Sequence, residues 1–265
     1  MQWSSLVFFT VTAQAAVGIV LIYWLFGFTA AARERADSYS GLGTPVYLIS
    51  WVLTAIATVA SLTHLGWPLS AYRAFGHLSS SWLSREVLLV TLFGIAGLAA
   101  WWRSRTAAVP SWAVGVLGVL GLAETFASGM IYSLPSVPAD ANWFPVAFFI
   151  ATALLTGATG LLLLGQVTKA GQALASEWTD KLSLLTLLTL LLSGVLTFTY
   201  ASAAAHGLPE ARMQAAAYTA GAWYPLRLVL GLLVPAGLVI WFARRPRITQ
   251  MLPVLALVCA VPVSY

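Results

Sequence analysis

Charge is what this sequence has least of. Only 8% of its 265 residues are Asp, Glu, Lys or Arg, while 60% are hydrophobic and the mean hydropathy is +0.88. A soluble domain carries about 25% charged residues to cover its surface, so lipid is the solvent for most of this one. Cysteine is nearly absent as well. The single Cys259 lies in an apolar run, which excludes a disulfide framework and a cysteine cluster. An iron–sulfur cluster needs several thiolates, so no cluster is expected in this chain. Three histidines leave little room for haem. The net charge of +5 sits in short loops rather than in a patch, which argues topology and not nucleic acid. There is no defensible repeat, no low-complexity tail and no segment long enough for a soluble domain, so residues 1–265 read as a single membrane-embedded domain.

What is present is apolar helix. Eight stretches are each about long enough to cross ~30 Å of hydrocarbon: Ser4–Ala30, Pro45–Leu65, Ser81–Trp102, Ser111–Ser133, Trp143–Gln166, Leu182–Ala204, Ala222–Ala243 and Ile248–Tyr265. Their runs are continuous rather than alternating, which predicts an all-α bundle of eight transmembrane helices and not a barrel. Ala13-Gln14-Ala15 resembles a signal-peptide cleavage site. No Lys or Arg precedes it, however, and the run continues to Phe28, so the first stretch is read as a span. Nine of the thirteen basic residues fall in the odd-numbered loops: Arg33, Arg35, Arg103, Arg105, Lys169, Lys181, Arg244, Arg245 and Arg247. The positive-inside rule puts those loops in the cytoplasm and both termini on the periplasmic side of a bacterial inner membrane. Trp67, Trp82, Trp101, Trp102, Trp143 and Trp223 mark span ends. Gly115, Gly118 and Gly121, and Gly157 with Gly160, let helices approach closely.

Ionisable side chains inside spans are costly and point to function. Glu86 and Glu124 are the main ones. His64 closes the second span, where Gly66 and Pro68 end the helix. Ser80 or Ser81 caps the third, which sets Glu86 roughly 7 Å deeper at 1.5 Å per residue. Two readings of this pair stand. In one, His64 and Glu86 face one outer pocket: a neutral imidazole accepts a hydrogen bond or proton from a quinol hydroxyl, and the carboxyl relays a proton outward. In the other, His64 merely finishes a helix and Glu86 pairs with Arg85 or a neighbouring helix. Glu124, in the outer half of the fourth span, suits a bond to a neighbouring helix. Gln14 and Arg227 lie at outer-leaflet depth, where Arg227 can snorkel outward. His77 and His206 fall in outer loops.

The run His64-Leu-Gly-Trp-Pro-Leu followed by Ser81-Trp-Leu-Ser-Arg-Glu86 resembles the membrane anchor subunit of the dimethyl sulfoxide reductase family. Phe9-Thr10-Val11 with Gln14, Tyr132 before Val137-Pro138, Gln214-Ala-Ala-Ala and Arg227 are similar too. The resemblance implies a three-subunit oxidoreductase of anaerobic respiration. A molybdopterin catalytic subunit and an iron–sulfur subunit would sit on the periplasmic face, and this anchor would oxidise menaquinol without haem. Carried over by position, His64 and Glu86 are the menaquinol-site residues, with Gln14, Arg73 and Arg227 beside them. Ser70 departs from the family, which often carries a basic residue there, and Arg73 is the candidate to take that role. The eighth stretch is short and lacks the polar ending that relatives carry. Other readings are a polysulfide-reductase-type anchor, a haem-bearing cytochrome, and a proton-coupled secondary transporter using Glu86 and Glu124. Against the last, no inverted repeat with paired broken spans is visible.

Overall fold

A computed structural model describes residues 2–63, 67–221 and 223–243, leaving aside the side chains of 2–5, 68, 69, 175, 176, 223, 227 and 241–243. Among the described residues the regular structure is all helix. They form α1 (Gln2–Phe26), α2 (Ala30–Glu34), α3 (Ala36–Thr63), a 3-10 helix (Pro68–His77), α4 (Trp82–Ser104), α5 (Ser111–Tyr132), α6 (Phe144–Val167), α7 (Lys169–Ala205), α8 (Pro209–Thr219), α9 (Trp223–Leu228), a π-helical turn (Val229–Leu233) and α10 (Val234–Ala243). Six of these helices are long and apolar enough to cross a membrane. A seventh span results if Pro209–Thr219 and Tyr224–Ile240, bent by 65°, are counted as one. The chain is thus a multi-pass helical membrane protein. The predicted eighth span, Ile248–Tyr265, lies with Cys259 outside the described residues.

Two spans differ from their sequence reading. The second begins at Ala36 rather than Pro45, and Pro45 sits inside α3. The polar start of that helix has low hydropathy, which hides it from an apolar-run reading. The sixth begins at Lys169, where Thr168 caps α7 by accepting from the Gly171 amide at 3.0 Å. The first turns of α7 carry Glu177, Asp180 and Lys181 and stand outside the apolar stretch.

The N-terminal helix α1 is central. It packs against α3, α5 and α6, and its Ala16, Val17, Val20, Ile22 and Tyr23 are among the most buried side chains. Its contact with α6 is backbone to backbone. A Cβ on Gly18 would lie 1.9 Å from the Ala153 carbonyl oxygen, and one on Gly157 would lie 2.3 Å from the Gly18 backbone. Lipid tails are as apolar as leucine, so helices associate in a membrane through such close van der Waals contact rather than through water exclusion. Between α1 and α5 the register is antiparallel: Trp24 meets Gly115, Leu21 meets Gly118, and Val17 meets Gly121. Hydroxyls buried in α6 and α7 are satisfied within their own helices. Thr156, Thr159, Thr186, Thr189, Ser193 and Thr197 each donate to the carbonyl four residues back, at 2.7–2.9 Å.

One end of the bundle gathers the loop that carries Arg33 and Arg35, the ends of α1 and α4, and the start of α7. The other gathers the start of α1, the end of α3, the 3-10 helix and the start of α4. These are termed the basic end and the pocket end.

Candidate quinone-binding pocket

The turn between α3 and α4 is built by local chemistry. Pro68 opens the 3-10 helix, where its missing N–H costs nothing. Ser81 caps α4, its hydroxyl accepting from the Ser84 amide at 3.3 Å. Arg85 folds back over the turn: its guanidinium donates to the Leu78 carbonyl at 2.9 Å and the Ser79 carbonyl at 2.6 Å, and lies 4.3 Å from the Trp82 ring centroid. Arg85 therefore serves the loop and leaves Glu86, one position on, to point into the bundle.

A cavity of about 620 Å³ opens beneath this turn. Phe9 of α1, Leu62 of α3, Trp67, and Leu83, Val87 and Val90 of α4 make its apolar wall. Its polar groups are Thr58, Ser61, Ser70, Arg73, Glu86 and Thr91. A volume of this size with few polar groups on an apolar wall is the usual form of a small-molecule site. Glu86 is 5% exposed and forms the buried end of the polar lining, whereas Arg73 is exposed at the 3-10 helix. Ser70 and Arg73 both line the cavity, so the basic group sits one helical turn beyond the serine on the same short element.

Glu86 also reaches across to α5. The Ser128 hydroxyl donates to Glu86 Oε1 and lies 3.2 Å from Glu124 Oε1. Thr125 Oγ1 donates to Glu124 Oε2 at 3.3 Å. The two carboxyls of neighbouring spans are thereby joined through one serine. Neither has an ion-pair partner among the described residues, where the salt bridge found is Lys181–Glu177. Glu124 is 1% exposed and does not line the cavity.

Of the sequence candidates, the structure brings Glu86 and Arg73 to one cavity. His64 lies outside the described residues, between Thr63 at the end of α3 and the cavity-lining Trp67. Arg227 falls in α9, and its side chain lies outside the description. Gln14 is buried and not a lining residue, and its Oε1 has no hydrogen-bond partner. Continuing the α1–α5 register one turn past Val17 and Gly121 sets Gln14 level with Glu124 and Thr125. Ser128 was not singled out from sequence. Its signal was present: Glu124 and Ser128 are four residues apart, hence on one helix face, in a span otherwise almost without strong hydrogen-bonding groups.

Residues 1–263 match the family model described as DMSO reductase anchor subunit (DmsC). The anaerobic dimethyl sulfoxide reductase protein YnfH of Escherichia coli K12 is 30% identical over 176 residues, covering 63% of this chain and 60% of that protein. The C subunit of the anaerobic dimethyl sulfoxide reductase of Haemophilus influenzae is 29% identical over 159 residues, 58% of this chain and 55% of its own length. The corresponding C subunit of E. coli K12 is 29% identical over 153 residues, 56% and 52% respectively. The aligned part thus spans little more than half the length of each relative.

Proposed function

Because this chain belongs to the dimethyl sulfoxide reductase anchor subunit family, we propose that it anchors a molybdopterin oxidoreductase of that type and oxidises menaquinol in the cavity beneath the α3–α4 turn. The observation that carries the reading is the cavity itself: about 620 Å³, walled by Phe9, Leu62, Trp67 and Val90, with one buried carboxyl and one cationic side chain on its lining. A quinol combines an apolar ring and tail with two hydroxyls, and this lining offers an apolar slot with polar groups at separate depths. Glu86 accepts a hydrogen bond and then a proton from one hydroxyl. His64 does so for the other, and Arg73 steadies the developing oxyanion. Two electrons leave to an iron–sulfur subunit and on to a molybdopterin subunit, both docked on the pocket end. The anchor itself carries neither haem nor a cluster.

The pocket end is read as the periplasmic face of the inner membrane, with eight spans and both termini on that side. Protons and electrons then depart on the same side, and the half-reaction moves no net charge across the membrane. Accessibility labelling of single cysteines in the loops after α3 and after α4 tests this orientation, and labelling of the former only from the cytoplasm would reverse it.

The decisive experiment uses native membranes holding the protein with its partner subunits. Glu86→Gln and His64→Ala should lower naphthoquinol-dependent turnover by about a hundredfold or more, the scale of a lost general base. Turnover driven by a reduced soluble dye, which bypasses the anchor, should survive. Quinol oxidation at wild-type rate in both variants would sink the site.

A further inference from the structure

The Glu86–Ser128–Glu124 relay raises a question of proton count. A serine hydroxyl has one proton to donate, yet Ser128 Oγ lies in hydrogen-bond contact with a carboxyl oxygen on each side. The one proton cannot serve both contacts, so one of the two carboxyls is itself the donor, as a carboxylic acid; Glu86 borders the cavity and Glu124 does not, which assigns the acid to Glu124. The surroundings agree. Glu124 is 1% exposed, has no ion-pair partner among the described residues, and is level with Gln14, whose Oε1 is a buried acceptor with no donor. An ionised Glu124 beside an ionised Glu86 would be two uncompensated charges sharing one hydroxyl proton.

We infer that Glu124 is held as a neutral carboxylic acid and acts as a positioning residue for the cavity: its O–H donates to Ser128 Oγ, and Ser128 donates to Glu86, which is thereby kept as the ionised, oriented acceptor facing the quinol. Both donors point one way, from α5 toward the cavity. When Glu86 takes the quinol proton, that proton resides on its cavity-facing oxygen. Nothing then has to pass to Glu124, so the relay orients the base without carrying protons away. Fixed donors of this kind lower the cost of a buried carboxylate without a counter-ion, and they are already aligned before the substrate arrives. The role rests on the quinol reading of the cavity. The protonation state of Glu124 does not.

The inference makes the charge of a buried glutamate dispensable and its hydrogen-bond donor essential. A glutamine at 124 keeps a donor of similar length, so Glu124→Gln in the assembled complex should retain the wild-type KM and kcat for a short-tailed naphthoquinol. Glu124→Leu and Ser128→Ala should raise the KM about tenfold, the scale of one hydrogen bond to a charged group, and Ser128→Thr should restore it. Dye-driven turnover should be unchanged in all four. Infrared spectra of the purified protein supply a readout that a packing role would not move. The carboxylic C=O band of a buried neutral acid should be present at neutral pH in wild type and in Glu86→Gln, and lost in Glu124→Gln. A Glu124→Gln variant as impaired as Glu124→Leu, normal KM in all variants, or a band that persists in Glu124→Gln would each overturn the inference. If Glu86→Gln oxidises quinol normally while the band behaves as stated, the site assignment fails and the neutral Glu124 stands.

Discussion

At the basic end of the bundle, side chains lace the loop after α1 to the start of α7. Glu177 accepts from the Ala31 amide at 2.9 Å and pairs with Lys181. Arg35 donates to the Ala173 carbonyl at 2.6 Å, and the Trp178 indole donates to Thr29 Oγ1 at 3.1 Å. Trp178 is 2% exposed and meets both Phe26 and Tyr39 edge to face, while Tyr39 stacks on Tyr23 at 4.5 Å. At the pocket end the 3-10 helix packs on α4 and α3, Arg85 holds the Leu78 and Ser79 carbonyls just after it, and Trp67 is 80% exposed. One end commits its aromatic residues to packing. The other packs Trp82 edge to face on Phe126 but leaves Trp67 at the mouth of a cavity. Elements that must admit a ligand come from the weakly laced part of a structure, and rigid elements below them fix the reacting groups. Here Glu86 sits on α4, one turn beneath the lightly held segment.

That contrast can be broken most severely at the close contact between α1 and α6, on which both ends depend. Gly18→Leu drives a side chain into the Ala153 carbonyl and should abolish folded protein, since overpacking costs about 1–3 kcal/mol or more even where neighbours can move, and here the neighbour is backbone. Gly97→Leu, where an added Cβ meets nothing within 4 Å, should be tolerated. Thermal unfolding in detergent, followed by gel-filtration fluorescence, separates the two. Equal loss in both would show that the α1–α6 contact is not special.

Trp178→Ala and Trp67→Ala set the two ends directly against each other. Truncating the buried Trp178 should cost about 3–5 kcal/mol of stability and leave the quinol KM of surviving protein unchanged. Truncating Trp67 should leave the unfolding temperature within about 2 °C, as surface changes do, and raise the quinol KM several-fold. Identical behaviour of the two variants would erase the distinction.

Arg73 refines the pocket end. Arg73→Ala should raise the quinol KM about three- to tenfold, the scale of a partly solvated charge-assisted hydrogen bond, and Arg73→Lys should recover part of it. Moving the charge back with the pair Ser70→Arg, Arg73→Ser should recover more if position rather than identity matters. Quinol KM values at fixed dye-driven activity are the measure. A flat response across all three would remove Arg73 from the site.

How much of this was legible beforehand follows from the kind of signal each feature leaves. Continuous apolar runs gave six spans with their order, because membrane solvation makes hydropathy nearly a structural rule. The beginnings of α3 and α7 were not legible. Both start in polar sequence that continues as helix beyond the apolar part, and their caps at Thr168 and inside the Arg35–Ala36 turn carry no hydropathy. The 65° angle between Pro209–Thr219 and Tyr224–Ile240 escaped for a related reason: α8 is polar and short, and α9 and α10 read as one run. Glu86, which lines the cavity, stands out in the sequence because a carboxylate in an apolar run is conspicuous. Its partner does not, because the pairing of α4 with α5 decides which side chain Glu86 meets, and no spacing within one helix encodes contacts between two. Arg85 shows the same limit from the other side. Adjacency in sequence suggested an ion pair with Glu86, but successive helical residues point about 100° apart, and Arg85 turned to the loop carbonyls instead.

The smallest effect expected is at Ser81, and it bears on how the weakly laced end is still held in register. Ser81 satisfies one amide of the first turn of α4 by its own hydroxyl. Losing that cap costs about 1 kcal/mol in soluble helices. Most of α4 is fixed by packing against α3 and α5, so Ser81→Ala should lower the unfolding temperature by no more than about 2–4 °C for a protein of this size. Its consequence should be local. With the cap gone, the first turn frays through Ser84 and Arg85, and the guanidinium no longer has a fixed base from which to hold the Leu78 and Ser79 carbonyls. Amide hydrogen exchange should therefore rise in residues 78–85 and stay unchanged from residue 90 onward, with a quinol KM raised about twofold. Exchange that rises evenly along α4 would mean that the cap holds the helix as a whole, and that the pocket end is laced as firmly as the basic one.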